Sequence, residues 1–99
     1  MKPVAYHPLA ESELIQSAVF YEARREFLGE ELLLAVEEAL ATIQRHPGVG
    51  RPEKAQSRSY KLRRFPYRLF YQEQTDRVWI VALAHLSRRQ DYWRKRLES

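Results

Sequence analysis

Residues 59 to 93, SYKLRRFPYRLFYQEQTDRVWIVALAHLSRRQDYW, decide the fold. Side chains alternate across a strand, and two runs here do so. Tyr60, Leu62 and Arg64 oppose Lys61, Arg63 and Phe65, and then Tyr67, Leu69 and Tyr71 oppose Arg68, Phe70 and Gln72. Residues 78 to 84, VWIVALA, are apolar without interruption, the pattern of a strand covered on both faces, and they are the expected interior strand. Pro66 lacks an amide hydrogen and marks the break between the first two strands. Gln74 to Arg77 supply turn chemistry before the third. The reading is a three-stranded antiparallel meander followed by a short basic tail.

Working back from this sheet, residues 46 to 59 contain Pro47, Gly48, Gly50 and Pro52 and are expected to form an irregular loop. Before it, Leu33, Val36, Leu40 and Ile43 recur at three- and four-residue spacing, the signature of a helix that starts near Glu30 and ends at Pro47. A first amphipathic helix is expected from Pro8 to about Phe27, with Gly29 as its stop. So tight a connection makes the two helices an antiparallel hairpin. Residues 2 to 6, KPVAY, read as a further strand, with Pro3 favouring a sheet edge. The whole is an α+β fold of order β-α-α-β-β-β with a short final helix, Tyr92 to Leu97, the hairpin covering one sheet face and leaving the other available.

Ninety-nine residues fit one domain, able to bury about two-thirds of its extended surface. Cysteine is absent, which removes disulfides, thiolate chemistry and Cys-based zinc sites. No apolar run approaches a membrane span or signal core, so a soluble, cytoplasmic protein without membrane association is expected. The net charge of +4 conceals an asymmetry. Residues 1 to 57 hold six Lys/Arg against nine acids, a net −3, and residues 58 to 99 hold eleven against four, a net +7. A basic half interleaved with aromatics is expected to meet a polyanion.

No phosphate-binding loop, zinc-protease helix, calcium loop or nucleophile elbow is present, and the three histidines lack metal-ligand spacing, so neither metal nor cofactor is expected. What remains is Lys61, Arg63, Arg68, His85, Arg88, Arg89 and Tyr92. Lys61 and Arg63 share a strand face, and Arg68 can be brought opposite them. Arginine forks hold phosphate oxygens, a tyrosine can stack on a base and a histidine can move a proton, so the set suits a metal-free phosphate-binding surface. Its weakness is the base, for which only His85, Tyr92 or a perturbed Lys61 is on offer. Arg64, Arg89 and Arg94 extend the basic face as contacts for a nucleic acid or other target. Tyr60, Tyr67, Phe70, Tyr71 and Trp79 are read mainly as sheet core, and Tyr92 and Trp93 are equally suited to packing the C-terminal turn.

The stretches YHPLAESEL, FYEARREFLGEELLLAVEEALATIQRHPGVGRP, RRFPYRLFYQ and VALAHLSRRQDYW together resemble the RelE/ParE superfamily, the toxins of type II toxin–antitoxin modules, nearly end to end. The resemblance implies one of two activities. A RelE-like member would be a ribosome-dependent mRNA endonuclease, metal-independent, with Lys61, Arg63 and Arg68 at catalytic positions and Arg88 or Arg89, Tyr92 and His85 near the C-terminal ones. The spacing from Arg88 or Arg89 to Tyr92 is shorter than in RelE, and the HLSRR context of His85 differs. A ParE-like member would poison DNA gyrase, and the long hairpin and the FYEARREFLG junction rank this first. A non-toxic relative that only binds its partner is a third class. In each case the resemblance implies a cognate antitoxin, a hetero-oligomer, and a docking surface on the apolar flank of the hairpin at Phe20 or Leu32, with Val19 and Leu34.

Overall fold

A computed structural model of the chain describes residues 1–89 and 91–97. β1 (Val4–Tyr6) leads into α1 (Pro8–Glu22) and α2 (Leu28–Arg45). A 3₁₀ turn, Pro47–Val49, precedes β2 (Arg51–Pro52) and β3 (Arg58–Lys61). β4 (Tyr67–Glu73), β5 (Val78–His85) and a 3₁₀ helix, Arg94–Leu97, complete the order. The expected α+β meander is present within a five-stranded sheet of order β1-β5-β4-β3-β2. β1 runs parallel to β5, with Val4 opposite Val78, and every other pairing is antiparallel. β5 is interior as its unbroken apolar run requires, while the middle strand of the five is β4.

The alternation of β4 sorts the core. Tyr67, Leu69 and Tyr71 turn toward the helices with Val78, Ile80 and Leu83 of β5, and meet Ala10, Leu32, Val36, Ala39 and Ile43. The opposite face is not left bare. Trp93 is 1% exposed and its ring lies 4.8 Å from that of Phe70, so the C-terminal segment closes a second, smaller apolar cluster with Val81 and Ala82. The expectation of one open sheet face is corrected accordingly, because Phe70, Val81 and Ala82 present too much apolar surface to remain in water.

The helix junction also differs from expectation. α1 ends at Glu22, and the chain turns through Phe27, which sits in the left-handed region at φ 69°. Gly29 is therefore not a stop but a residue in the first turn of α2. A Cβ on Gly29 would stand 2.5 Å from the Ala18 carbonyl oxygen, so its missing side chain lets the two helices approach. The Glu22 carboxylate accepts from Phe27 N at 2.9 Å and Gly29 N at 3.0 Å, satisfying amides that α2 itself leaves open.

The expected strand over 60 to 65 is displaced. β3 ends at Lys61, and residues 62 to 66 turn back with Arg64 at φ 70°. Leu62 and Phe65, which alternation placed on opposite faces, are both buried at this turn. Residues 46 to 59 are more ordered than their Pro and Gly content suggests. Ala55 and Gln56 both take positive φ, as the central pair of a type I′ turn does, and Ser57 N donates to Lys54 O at 3.2 Å across them, within residues 53–57 that join β2 to β3. The buried Tyr71 hydroxyl donates to Pro47 O at 2.6 Å and accepts from Gly50 N at 3.0 Å, fastening the segment to the core. No helix among the described residues is long and apolar enough to cross a membrane.

Candidate functional site

Arg68 points away from the helices because it alternates with Tyr67 and Leu69 on β4. It joins Arg51, His85, Arg88, Arg89 and Tyr92 around a cavity of about 240 Å³, whose lining includes Phe70 and Trp93. Five of the sequence candidates thus converge. Arg68 Nε donates to Ser59 Oγ at 2.9 Å, and Ser59 Oγ donates to Glu53 Oε2 at 2.5 Å. Glu53 also accepts from Arg51 Nε and Nη2, which occupies the carboxylate closest to Arg68. Burial first, and then the Arg51 charge, hold Arg68 below its ordinary range, with Glu53 opposing. None of the ion pairs among the described residues involves Arg68, Arg88 or Arg89. Glu53 thus offsets Arg51, while Arg68, Arg88 and Arg89 leave the cavity with positive charge that no carboxylate pairs among the described residues.

Its proton-transfer groups are committed elsewhere. Tyr92 donates its hydroxyl to Glu13 Oε2 at 2.7 Å, and burial, then that bond and the Glu13 charge, push the phenol far above its usual range. Arg88 lies over the Tyr92 ring at 3.9 Å and Arg96 at 5.1 Å. The tyrosine expected to stack on a base is an anchor for the C-terminal segment. His85 pairs in register with Tyr67, on the helix side, and reaches only the rim of the cavity. Its Nδ1 accepts from Ser87 N at 3.0 Å, which places the proton of the neutral ring on Nε2. That nitrogen is a donor rather than a base.

Lys61 stands opposite Arg68 in the ladder, but its ammonium donates to Leu62 O at 3.0 Å and steadies the turn. Arg63 lines a separate groove beside α2 with Glu38, Arg45 and Tyr60. Arg64 pairs with Glu31 at 2.7 Å, which Arg25 also binds, and the two guanidiniums hold the Glu31 carboxyl below its usual range. Arg94 is exposed and does not line the cavity. Glu13 is the residue the sequence did not disclose. It accepts from Leu83 N at 3.1 Å, Tyr92 Oη and both terminal nitrogens of Arg96, tying α1 to β5 and the C-terminal helix across 70 to 83 residues. Among the described residues, no three His, Asp or Glu side chains gather as a metal would require.

A second surface lies on the outer side of the helices. Val19 (64%), Phe20 (49%) and Leu34 (57%) are exposed, together with Ile15 and Leu33. α1 is apolar on this side as well as toward the core, where Ala10, Leu14 and Ala18 pack. Leu32, expected on the same flank, is instead 0% exposed, because its helical position turns it onto the sheet; it is core and cannot meet a partner. Phe20 remains accessible, with Arg24 lying 4.3 Å over its ring.

Comparison with known proteins accords with this architecture. The family model described as ParE toxin of type II toxin–antitoxin system, parDE, matches residues 4–92. A solved structure titled as the chromosomal ParDE toxin–antitoxin system from P. aeruginosa superposes with a TM-score of 0.64 at 19% identity, covering 86% of this chain and 96% of that one. No curated protein sequence gives a match.

Proposed function

The chain belongs to the ParE toxin family of type II toxin–antitoxin systems, and from that premise we propose that it arrests growth by poisoning DNA gyrase and is neutralised by a cognate antitoxin in a hetero-oligomer. The observation that carries the choice of target is the state of the cationic cavity. A ribonuclease using the ribose 2′-hydroxyl requires a base, and here Tyr92 is locked onto Glu13, His85 offers its protonated nitrogen, and Lys61 caps a turn. Arg68, Arg88 and Arg89 can bind an anion, but none of the sequence-expected bases among the described residues is free to take its neighbour's proton. The supports of the neutralisation reading are the exposed apolar side of the helices and the unpaired positive charge, which suit an amphipathic segment rich in acids.

The deciding experiment is pulse labelling of DNA and protein synthesis within minutes of inducing the chain alone. DNA synthesis is expected to fail first, with accumulation of cleaved DNA when purified gyrase is challenged with the chain. Translation collapsing first would overturn gyrase as the target and restore the RelE-like nuclease, with Arg68, His85 and Arg88 as its residues. Absence of any arrest would leave the non-toxic, partner-binding relative. For the antitoxin, Phe20→Glu is expected to abolish neutralisation while leaving arrest intact, since the side chain is half exposed and outside the cavity. Retained neutralisation would move the docking surface elsewhere.

A further inference from the structure

The cationic cavity is more specific than a generally basic face. Asp91 is bound by Lys54 at 2.7 Å and Glu53 by Arg51, so the nearby acids are spoken for. Arg68, Arg88 and Arg89 face the same concavity with no carboxylate partner among the described residues. Assembling three like charges is unfavourable unless an anion completes them.

We propose that this cavity is a contact site for the phosphodiester backbone of duplex nucleic acid, read by charge and shape without base recognition. Arg68 spends its Nε and one terminal nitrogen on Ser59 and keeps Nη1, while the exposed Arg88 and Arg89 keep their donors, and guanidiniums on one small concavity match a group presenting several oxygens on one centre better than a flat carboxylate. The aromatic groups argue against recognition of a splayed single strand. One face of Tyr92 is covered by Arg88 and its ring is also approached by Arg96, while Phe70 and Trp93 pack on each other, so the stacking platform that single-strand binding uses is already occupied. Arg94 and Lys95, exposed and next in the chain to Trp93 of the cavity's lining, add to the positive charge that a phosphodiester backbone would meet. This contact does not depend on gyrase being the target; a toxin that acts on a DNA-bound enzyme would simply meet the same backbone there.

The test is fluorescence anisotropy of the purified full chain with a labelled duplex of arbitrary sequence, titrated at several salt concentrations and without gyrase. Arg89→Ala and Arg88→Ala are each expected to weaken binding roughly eightfold at ~0.1 M salt and to lower the slope of log affinity against log salt by about one, the weight of one released counterion. Arg24→Ala, an equal charge change on the helical side, is expected to leave the slope unaltered. Thermal unfolding of each variant separates lost contact from lost fold, and Arg89→Ala, which breaks no ion pair among the described residues, is the variant on which the outcome turns. Equal losses for Arg24→Ala and Arg89→Ala would reduce the binding to net charge and overturn the site. Competition by polyglutamate as effective as by duplex at equal charge would assign the cavity to an acidic polypeptide instead. Inorganic phosphate displacing the duplex at equal charge concentration would restrict the site to a free oxyanion and likewise overturn the proposal.

Discussion

At Gly29 two opposing effects can be weighed on one residue. In an exposed helix, alanine is favoured over glycine by about 1 kcal/mol. Here the added Cβ would meet a backbone oxygen of α1 at 2.5 Å, and a backbone cannot step aside as the end of a side chain can. Overpacking costs typically about 1–3 kcal/mol, so the clash outweighs the helical preference. Gly29→Ala is expected to lower the urea midpoint and destabilise by up to about 2 kcal/mol; a rise in the midpoint would show that the helices separate freely. Glu13 is the complementary case. Its neighbours in the chain are Ser12 and Leu14, and nothing about them signals that its carboxylate will hold Tyr92, Arg96 and an amide of β5. The same bonds explain why Tyr92, which residue type alone commends as a stacking or proton-moving group, is occupied.

Among the elements, the β2–β3 hairpin shows how a turn is hidden by its residues. Type I′ turns favour Asn-Gly because both central positions have positive φ, yet this one uses Ala55 and Gln56. Its signal is therefore absent from the sequence, and strain remains in the fold. The double variant Ala55→Asn/Gln56→Gly is expected to raise stability by about 1 kcal/mol in denaturant unfolding, with the target activity unchanged. No gain would mean that the bond from Gln72 Nε2 to Ala55 O, at 3.0 Å, already relieves the turn. By contrast α2, β4 and β5 were legible because long runs of consistent period leave no rival assignment. The strand expected to run to Phe65 was not, since alternation continues through a turn that buries Leu62 and Phe65 together.

For the molecule as a whole, the phenols set an alkaline limit. Burial raises Tyr6, Tyr21, Tyr71 and Tyr92 above the ordinary value, with the Glu13 carboxylate adding to the effect at Tyr92. A group held protonated in the fold but free to ionise near pH 10 when unfolded stabilises fully below that pH and ceases to do so as pH rises above it. Stability should therefore be flat toward neutral pH and fall from about pH 10 upward, with phenolate absorbance of Tyr92 emerging together with unfolding. Tyr92→Phe should flatten that decline, with the loss of one hydrogen bond. An unchanged decline in this variant would remove Tyr92 from the linkage.

What the sequence by itself determined is the class of object: a helical hairpin, an antiparallel meander with an interior apolar strand, and a positive C-terminal half. These follow from periodicity and composition, which are local and additive, and the family resemblance rests on the same stretches. Which charged side chains meet was decided only by the tertiary structure. Arg68 and Arg88 converge because β4 and the segment after β5 fold onto one face, whereas Lys61, Arg63 and Arg64 are turned aside by a tight turn and by Glu31. Leu32 and Phe20 look alike in composition, yet one is core and the other surface. Such outcomes depend on register, on crossing geometry and on partners as distant as Glu13 and Arg96, where a shift of one position exchanges inside for outside.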